Sequence, residues 1–184
     1  MHPPVVSRWT RANCIGIAKD ACTFCHGAGL RAIRYGREVP CECTFRQIFR
    51  ACYSRYRQCV VEQGSVGQSV GERAIHSGGG GGPGVYGFKR TEFIADFCLI
   101  ANRTLTAPLQ REVFRLHYLE GAEWRLCCQE LGITRGHFFR SVYVVEERLG
   151  RVFGELQPYG LWPLDEYFGK HGAWKPEPLL AMAA

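Results

Sequence analysis

The sequence predicts a mainly α-helical chain with one small cysteine-rich element near its N-terminus and a helical bundle behind it. Three observations predict this. Seven of the ten cysteines precede residue 62, four of them as two close pairs. From Lys89 onward, apolar side chains recur at helical spacing. Between the two regions, five consecutive glycines at 78–82 break any regular period, because glycine loses the most backbone entropy on ordering. The expected organisation is a cysteine-rich module with a C-terminal helix (1–62), a flexible Gly/Ser-rich linker (63–88) and a helical domain (89–157). An aromatic, proline-spaced tail (158–184) packs back on the bundle and ends in disorder.

With 184 residues and a hydrophobic fraction of 46%, the chain can fill a core, which excludes wholesale disorder. A formal charge of +6 favours a nucleic-acid or acidic-surface partner. The start, MHPPVVSRWTRANC, lacks the basic, apolar and small-residue order of an export signal. No stretch approaches about eighteen uninterrupted apolar residues. The expectation is therefore no membrane partner and residence in a reducing cytoplasm, where cysteines serve as metal ligands or core residues.

Taken in order, the first element is CTFCHGAG, residues 22–29. Three chemistries fit it: haem attachment through CxxCH, a redox CxxC pair, and half of a zinc site. After fifteen intervening residues, Cys25 is followed by Cys41 and Cys43, in VPCECTF. Two close thiolate pairs joined by a short segment are what tetrahedral zinc requires. Gly27 and Gly29 follow the first pair, where backbone amides turn towards sulfur, and LRAIRYGREV between the pairs is compatible with a small hairpin. The reading is one structural Zn2+ on Cys22, Cys25, Cys41 and Cys43, with His26 as the alternative fourth ligand. The missing export signal argues against haem.

The next element is a helix in TFRQIFRACYSRYRQCVVE. Phe45, Ile48, Phe49, Cys52, Tyr56, Cys59 and Val60 share a face, and Thr44 can cap the first turn. Arg46, Arg50, Arg55 and Arg57 lie mainly off that stripe, as a solvated face or a phosphate-contacting one. Beyond the linker four helices are expected: about 90–103, then one from Pro108 to Gly121, a short 122–131, and a long 135–156.

The stretch EWRLCCQELGITRGHFFRSVYVVEERLG (123–150) has the form of a helix-turn-helix. Leu126, Cys127 and Leu131 would face inward from the first helix, Gly132 permits the turn, and Ile133 fills the angle. Thr134 caps the second helix, where Phe138, Val142, Val145 and Leu149 form a buried stripe. Arg135, His137, Phe139, Arg140 and Ser141 then occupy the opposite face, positioned for DNA bases and phosphates.

CTFCHGAG resembles half of the cysteine-rich zinc module of DnaJ chaperones, and also the zinc element of lambda-type late antiterminators, the phage Q proteins. Only residues 22–43 are covered, and the second pair lacks the trailing glycines of a chaperone repeat. Residues 110–150 resemble region 4 of sigma factors, carried by REVFRLHYLEG, the LGIT turn and Gly136. That resemblance implies promoter contacts from Arg135, His137, Phe139, Arg140 and Ser141. Phe139 is bulkier than a groove-facing position favours, and Glu146 and Glu147 turn the helix acidic, two departures that point towards a degenerate or protein-binding version of the motif. No Ser–His–Asp set, paired carboxylates or phosphate loop is present, so neither an enzyme nor a small-molecule substrate is expected. The combined expectation is a phage transcription regulator in a bacterial host cell that binds double-stranded DNA and engages host RNA polymerase. A zinc-stabilised protein-interaction module is the competing reading.

Overall fold

The computed structural model describes residues 9–73, 85–156 and 160–168. Thr10 opens the first described helix, α1 (Arg11–Ile15), its hydroxyl accepting from the Asn13 amide. The predicted hairpin is present: β1 (Leu30–Ala32) pairs antiparallel with β2 (Glu38–Pro40), Arg31 opposite Val39. Helix α2 (Glu42–Arg73) begins one residue after Cys41. Thr44 is therefore already inside the helix, and its buried hydroxyl donates to the Gly29 carbonyl (2.9 Å) instead of capping the first turn.

The second half follows the expected order. Helix α3 spans Val85–Thr104, and α4 (Pro108–Val113) continues as a π-helical segment, Phe114–Leu119. After Gly121 (φ 72°) come α5 (Trp124–Leu131), α6 (Arg135–Glu155) and a short α7 (Leu164–Phe168). Helix occupies both margins of the expected linker, since α2 runs through Arg73 and α3 starts at Val85. The glycine run at 78–82 lies outside the described residues, as do Pro158 and the tail beyond residue 168. None of the described helices is long and apolar enough to cross a membrane.

Helix α2 does not stay with the cysteine module. It lies along α6 and also meets α3, so one core draws on both halves of the sequence. Phe49 of α2 packs edge-on against Tyr118 (4.9 Å between centroids) and stacks with Phe153 (6.1 Å). Phe97 of α3 lies 4.5 Å from Tyr56 and 5.2 Å from Phe153. Such aromatic pairs add about 0.5–1.5 kcal/mol each beyond burial. The tail closes this core: Leu161 and Leu164 are buried, and Tyr167 and Phe168 sit against Phe93.

Three of the four arginines expected on a solvent- or phosphate-facing side of α2 are drawn into this packing instead, while Arg57 stays exposed. Arg50 forks onto Glu146, with Nε and Nη2 at 2.9 and 3.0 Å from the two carboxylate oxygens. Arg46 lies over Tyr143, and Arg55 over Phe168. Glu146, expected to make α6 acidic on its surface, is only 4% exposed and also accepts from the Tyr118 hydroxyl (3.2 Å). Burial, then the Glu146 carboxylate, hold that hydroxyl well above the ordinary tyrosine range, so it remains a donor.

Helices α2 and α6 come backbone to backbone at Gly150. A Cβ there would stand 1.8 Å from the Phe45 carbonyl oxygen, so only glycine fits. Gly150→Ala is expected to destabilise the chain by about 3 kcal/mol or more, because rigid backbone blocks the methyl. Glu146→Ala, which strands Arg50 and Tyr118, should cost about 2–4 kcal/mol, moderated by the part-exposure of Arg50. The double variant Arg50→Met/Glu146→Leu should lose clearly less than Glu146→Ala. Urea unfolding followed by circular dichroism measures all three.

Candidate metal centre and nucleic-acid interface

The four predicted cysteines converge. Their sulfurs all lie within 4.8 Å of one another, and each residue is buried. Cys22 Sγ stands 3.8 Å from Cys41 Sγ, and Cys25 Sγ 3.4 Å from Cys43 Sγ. Four sulfurs held ~2.3 Å from one tetrahedral centre lie ~3.8 Å apart, so the cage fits a single metal ion. His26 is exposed and stands outside this set of four.

Local backbone makes the cage. His26, Gly27 and Gly29 take positive φ (48°, 83° and 73°), which reverses the chain behind the first pair. The Gly29 carbonyl then accepts from both the Cys41 amide (2.9 Å) and the Thr44 hydroxyl, tying the two cysteine pairs together. Gly29 also rests on Cys14: a Cβ would come within 2.5 Å of the Cys14 Cβ. Cys14 is thus a buried floor residue, and Cys52, Cys59 and Cys127 are likewise fully buried.

Electrostatics prepare the cage for a cation. Burial pushes the Cys22 thiol up, but amides of Phe24 and Cys25, together with the Cys43 and Cys25 thiols, outweigh it and bring it to about 6. Burial raises Cys41 and Cys43 instead. Cys22 is thus the donor most readily held as thiolate, while Cys41 and Cys43 favour the thiol until a cation replaces the proton. An all-sulfur tetrahedral set suits zinc or iron and disfavours magnesium or calcium.

The second candidate site lies where α5 meets α6. Gly132 takes the left-handed conformation (φ 62°), and the Ile133 amide bonds back to the Cys128 carbonyl (3.1 Å). Thr134 caps α6, its hydroxyl accepting from the His137 amide (3.3 Å). The expected inward stripe of Phe138, Val142, Val145 and Leu149 is buried, as is Cys127. Leu126 differs: it is 56% exposed, since α5 turns only one narrow face to α6.

Of the six residues expected to contact DNA, Thr134, Arg135, His137 and Arg140 are exposed. Ser141 is not, because α6 is flanked by α2, α3, α4 and α5 and buries a stripe wide enough to include it. Phe139 is half-buried and packs edge-on against Phe138 (5.3 Å). Together with Trp124 (centroids 6.0 Å apart) it forms an aromatic shelf. The Arg135 guanidinium lies over this shelf, 5.2 Å from Trp124 and 5.7 Å from Phe139. Arg125 stands 5.3 Å from the same Trp124 ring. Arg125, Arg135 and Arg140 enter no ion pair among the described residues. Spacing did not disclose Trp124, because its partners Phe139 and Arg135 lie across a turn whose angle no sequence pattern reports.

Native mass spectrometry is expected to find one metal ion per chain, absent from Cys25→Ser and Cys43→Ser. Gly29→Ala should lower stability by about 1–3 kcal/mol, measured by thermal melting, through its clash with Cys14 and its left-handed backbone. No protein-family model, curated protein or solved structure matches this chain, so the two sites themselves carry its functional reading.

Proposed function

We propose that this chain is a sequence-specific DNA-binding transcription regulator of the late-antiterminator kind, working in a phage-infected bacterial cell through host RNA polymerase. One structural zinc held by Cys22, Cys25, Cys41 and Cys43 organises its N-terminal element. The observation that carries the reading is the exposed start of α6. There, among the described residues, Arg135, His137 and Arg140 have no acidic partner, behind a capped turn and a short preceding helix.

In this reading the first turns of α6 enter the major groove of a duplex. Arg140 and His137 reach base edges, while Arg125 at the start of α5 meets phosphate. Arg135 is held over Trp124 and Phe139, so it loses less side-chain freedom when it binds a guanine edge. Phe139 acts here as support for Arg135 and not as a contact residue. Ser141 drops out of the contact set because its side chain is buried. The exposed Leu126 favours a second reading, in which the same face docks a protein.

Fluorescence anisotropy against a duplex obtained by selection from a random pool tests the DNA reading. Arg135→Ala/Arg140→Ala should weaken that duplex at least ~10-fold, whereas Arg125→Ala should flatten the dependence of log affinity on log salt by about 0.9. Trp124→Leu should weaken the duplex by a smaller factor while leaving the fold intact. Undiminished binding by the double variant would sink the DNA reading. Readthrough of a terminator by host RNA polymerase in a purified transcription assay, with and without the chain, tests the antitermination half.

A further inference from the structure

The hairpin between the two cysteine pairs has features that holding a metal does not require. Its tip is Arg34–Gly36, closed by the Ile33 amide donating to the Arg37 carbonyl (2.8 Å). At the apex, Tyr35 takes a left-handed backbone (φ 64°, ψ 27°) with Gly36 following at φ 70°. Left-handed turn positions are served without strain by glycine, and cheaply by asparagine or aspartate, whose side chains bond locally. A tyrosine there gains no such bond. Nor does burial compensate it, since its side chain is fully exposed (102%).

The charge around this ring has one sign. Residues 30–37 include Arg31, Arg34 and Arg37 and no acid. The next acid, Glu38, is bound by Arg11 (2.6 Å), and Arg31 is bound by Glu42 (3.3 Å). Arg34 and Arg37 are exposed and make no ion pair among the described residues. The apex therefore offers one naked aromatic face between two free guanidinium groups.

We propose that this hairpin tip is a binding site for single-stranded nucleic acid, with Tyr35 stacking on one base and Arg34 and Arg37 holding the neighbouring phosphates. A ring standing out from a narrow tip needs an unstacked base face. A duplex presents only base edges in its grooves, whereas a single strand presents π-faces along a charged backbone. The absence of any acid at the tip matches a polyanion. The site is independent of the duplex-reading face on α6.

The test uses the full, metal-loaded chain with fluorescein-labelled single-stranded DNA and RNA of about 20 mixed nucleotides, and the DNA duplex of the same sequence. Tyr35→Gly relieves the backbone strain, so its melting temperature should hold or rise and its metal content should stay unchanged. Its affinity for single strands should nevertheless fall about fivefold or more. Tyr35→Trp should retain single-strand affinity within about twofold, because it keeps a stacking face. Arg34→Ala/Arg37→Ala should weaken single strands and flatten the salt dependence by about 1.4. Arg135→Ala/Arg140→Ala should leave single-strand affinity unchanged, which separates this site from the duplex reading whichever way that falls. Preference between the DNA and RNA strands identifies which the tip takes. Wild-type single-strand affinity in both Tyr35→Gly and Arg34→Ala/Arg37→Ala would overturn the proposal and leave the tip as a protein contact. Single-strand affinity lost only with Arg135 and Arg140 would overturn it equally.

Discussion

Backbone meets backbone where the Phe45 carbonyl lies against the Cα of Gly150, and most of this molecule hangs on that contact. Phe45 is the fourth residue of α2, two positions after the last cysteine ligand, so seating it on α6 also seats the metal cage. The same end of α6 is closed by Trp9, whose ring packs on Phe45 (5.2 Å) and lies against Gly154. A bundle that buried its apolar stripes with ordinary side chains at this crossing would hold α2 and α6 farther apart.

One turn along α2 and α6, the packing is enforced by charge. Arg50, Glu146 and Tyr118 join α2, α6 and the π-helical segment in one hydrogen-bonded set, and the Tyr53 hydroxyl donates to the Tyr118 carbonyl (3.0 Å). Such a set adds little net stability over apolar packing, because desolvating the ions offsets their attraction. Its effect is on register: α2 slid by one turn along α6 would take Arg50 away and leave the buried Glu146 carboxylate with only the neutral Tyr118 hydroxyl.

The two exposed sites sit at opposite ends of this helix pair. Arg135 and Gly150 are fifteen residues apart on α6, about 22 Å along the helix axis. A rigid α2–α6 pair therefore holds the arginine-bearing start of α6 at a set distance from the cage and its hairpin. In the proposed regulator, such a strut would let a partner at one end be placed relative to a partner at the other. The shelf under Arg135 belongs to the same economy of arrangement. Trp124 and Phe139 are neither buried nor free, and they give a long flexible side chain a preferred position.

Much of this was legible in the residues alone, wherever the cause is local. Thr134 before an apolar period, Gly132 at a left-handed stop, Pro108 at a helix start and the two cysteine pairs act through neighbours a few positions away. Each of those elements stands where its spacing puts it. What depends on an opposing surface was not legible. Arg46, Arg50 and Arg55 look like a solvated face until α6 and α7 arrive to cover them. Ser141 looks available for DNA until four helices crowd α6, and Leu126 looks buried until α5 turns it outward. Trp124 becomes a support for Arg135 only across a turn. Periodicity states which side chains share a face of a helix. Whether that face meets water, a ring or a carboxylate is decided by the partner, and only the tertiary structure supplies it.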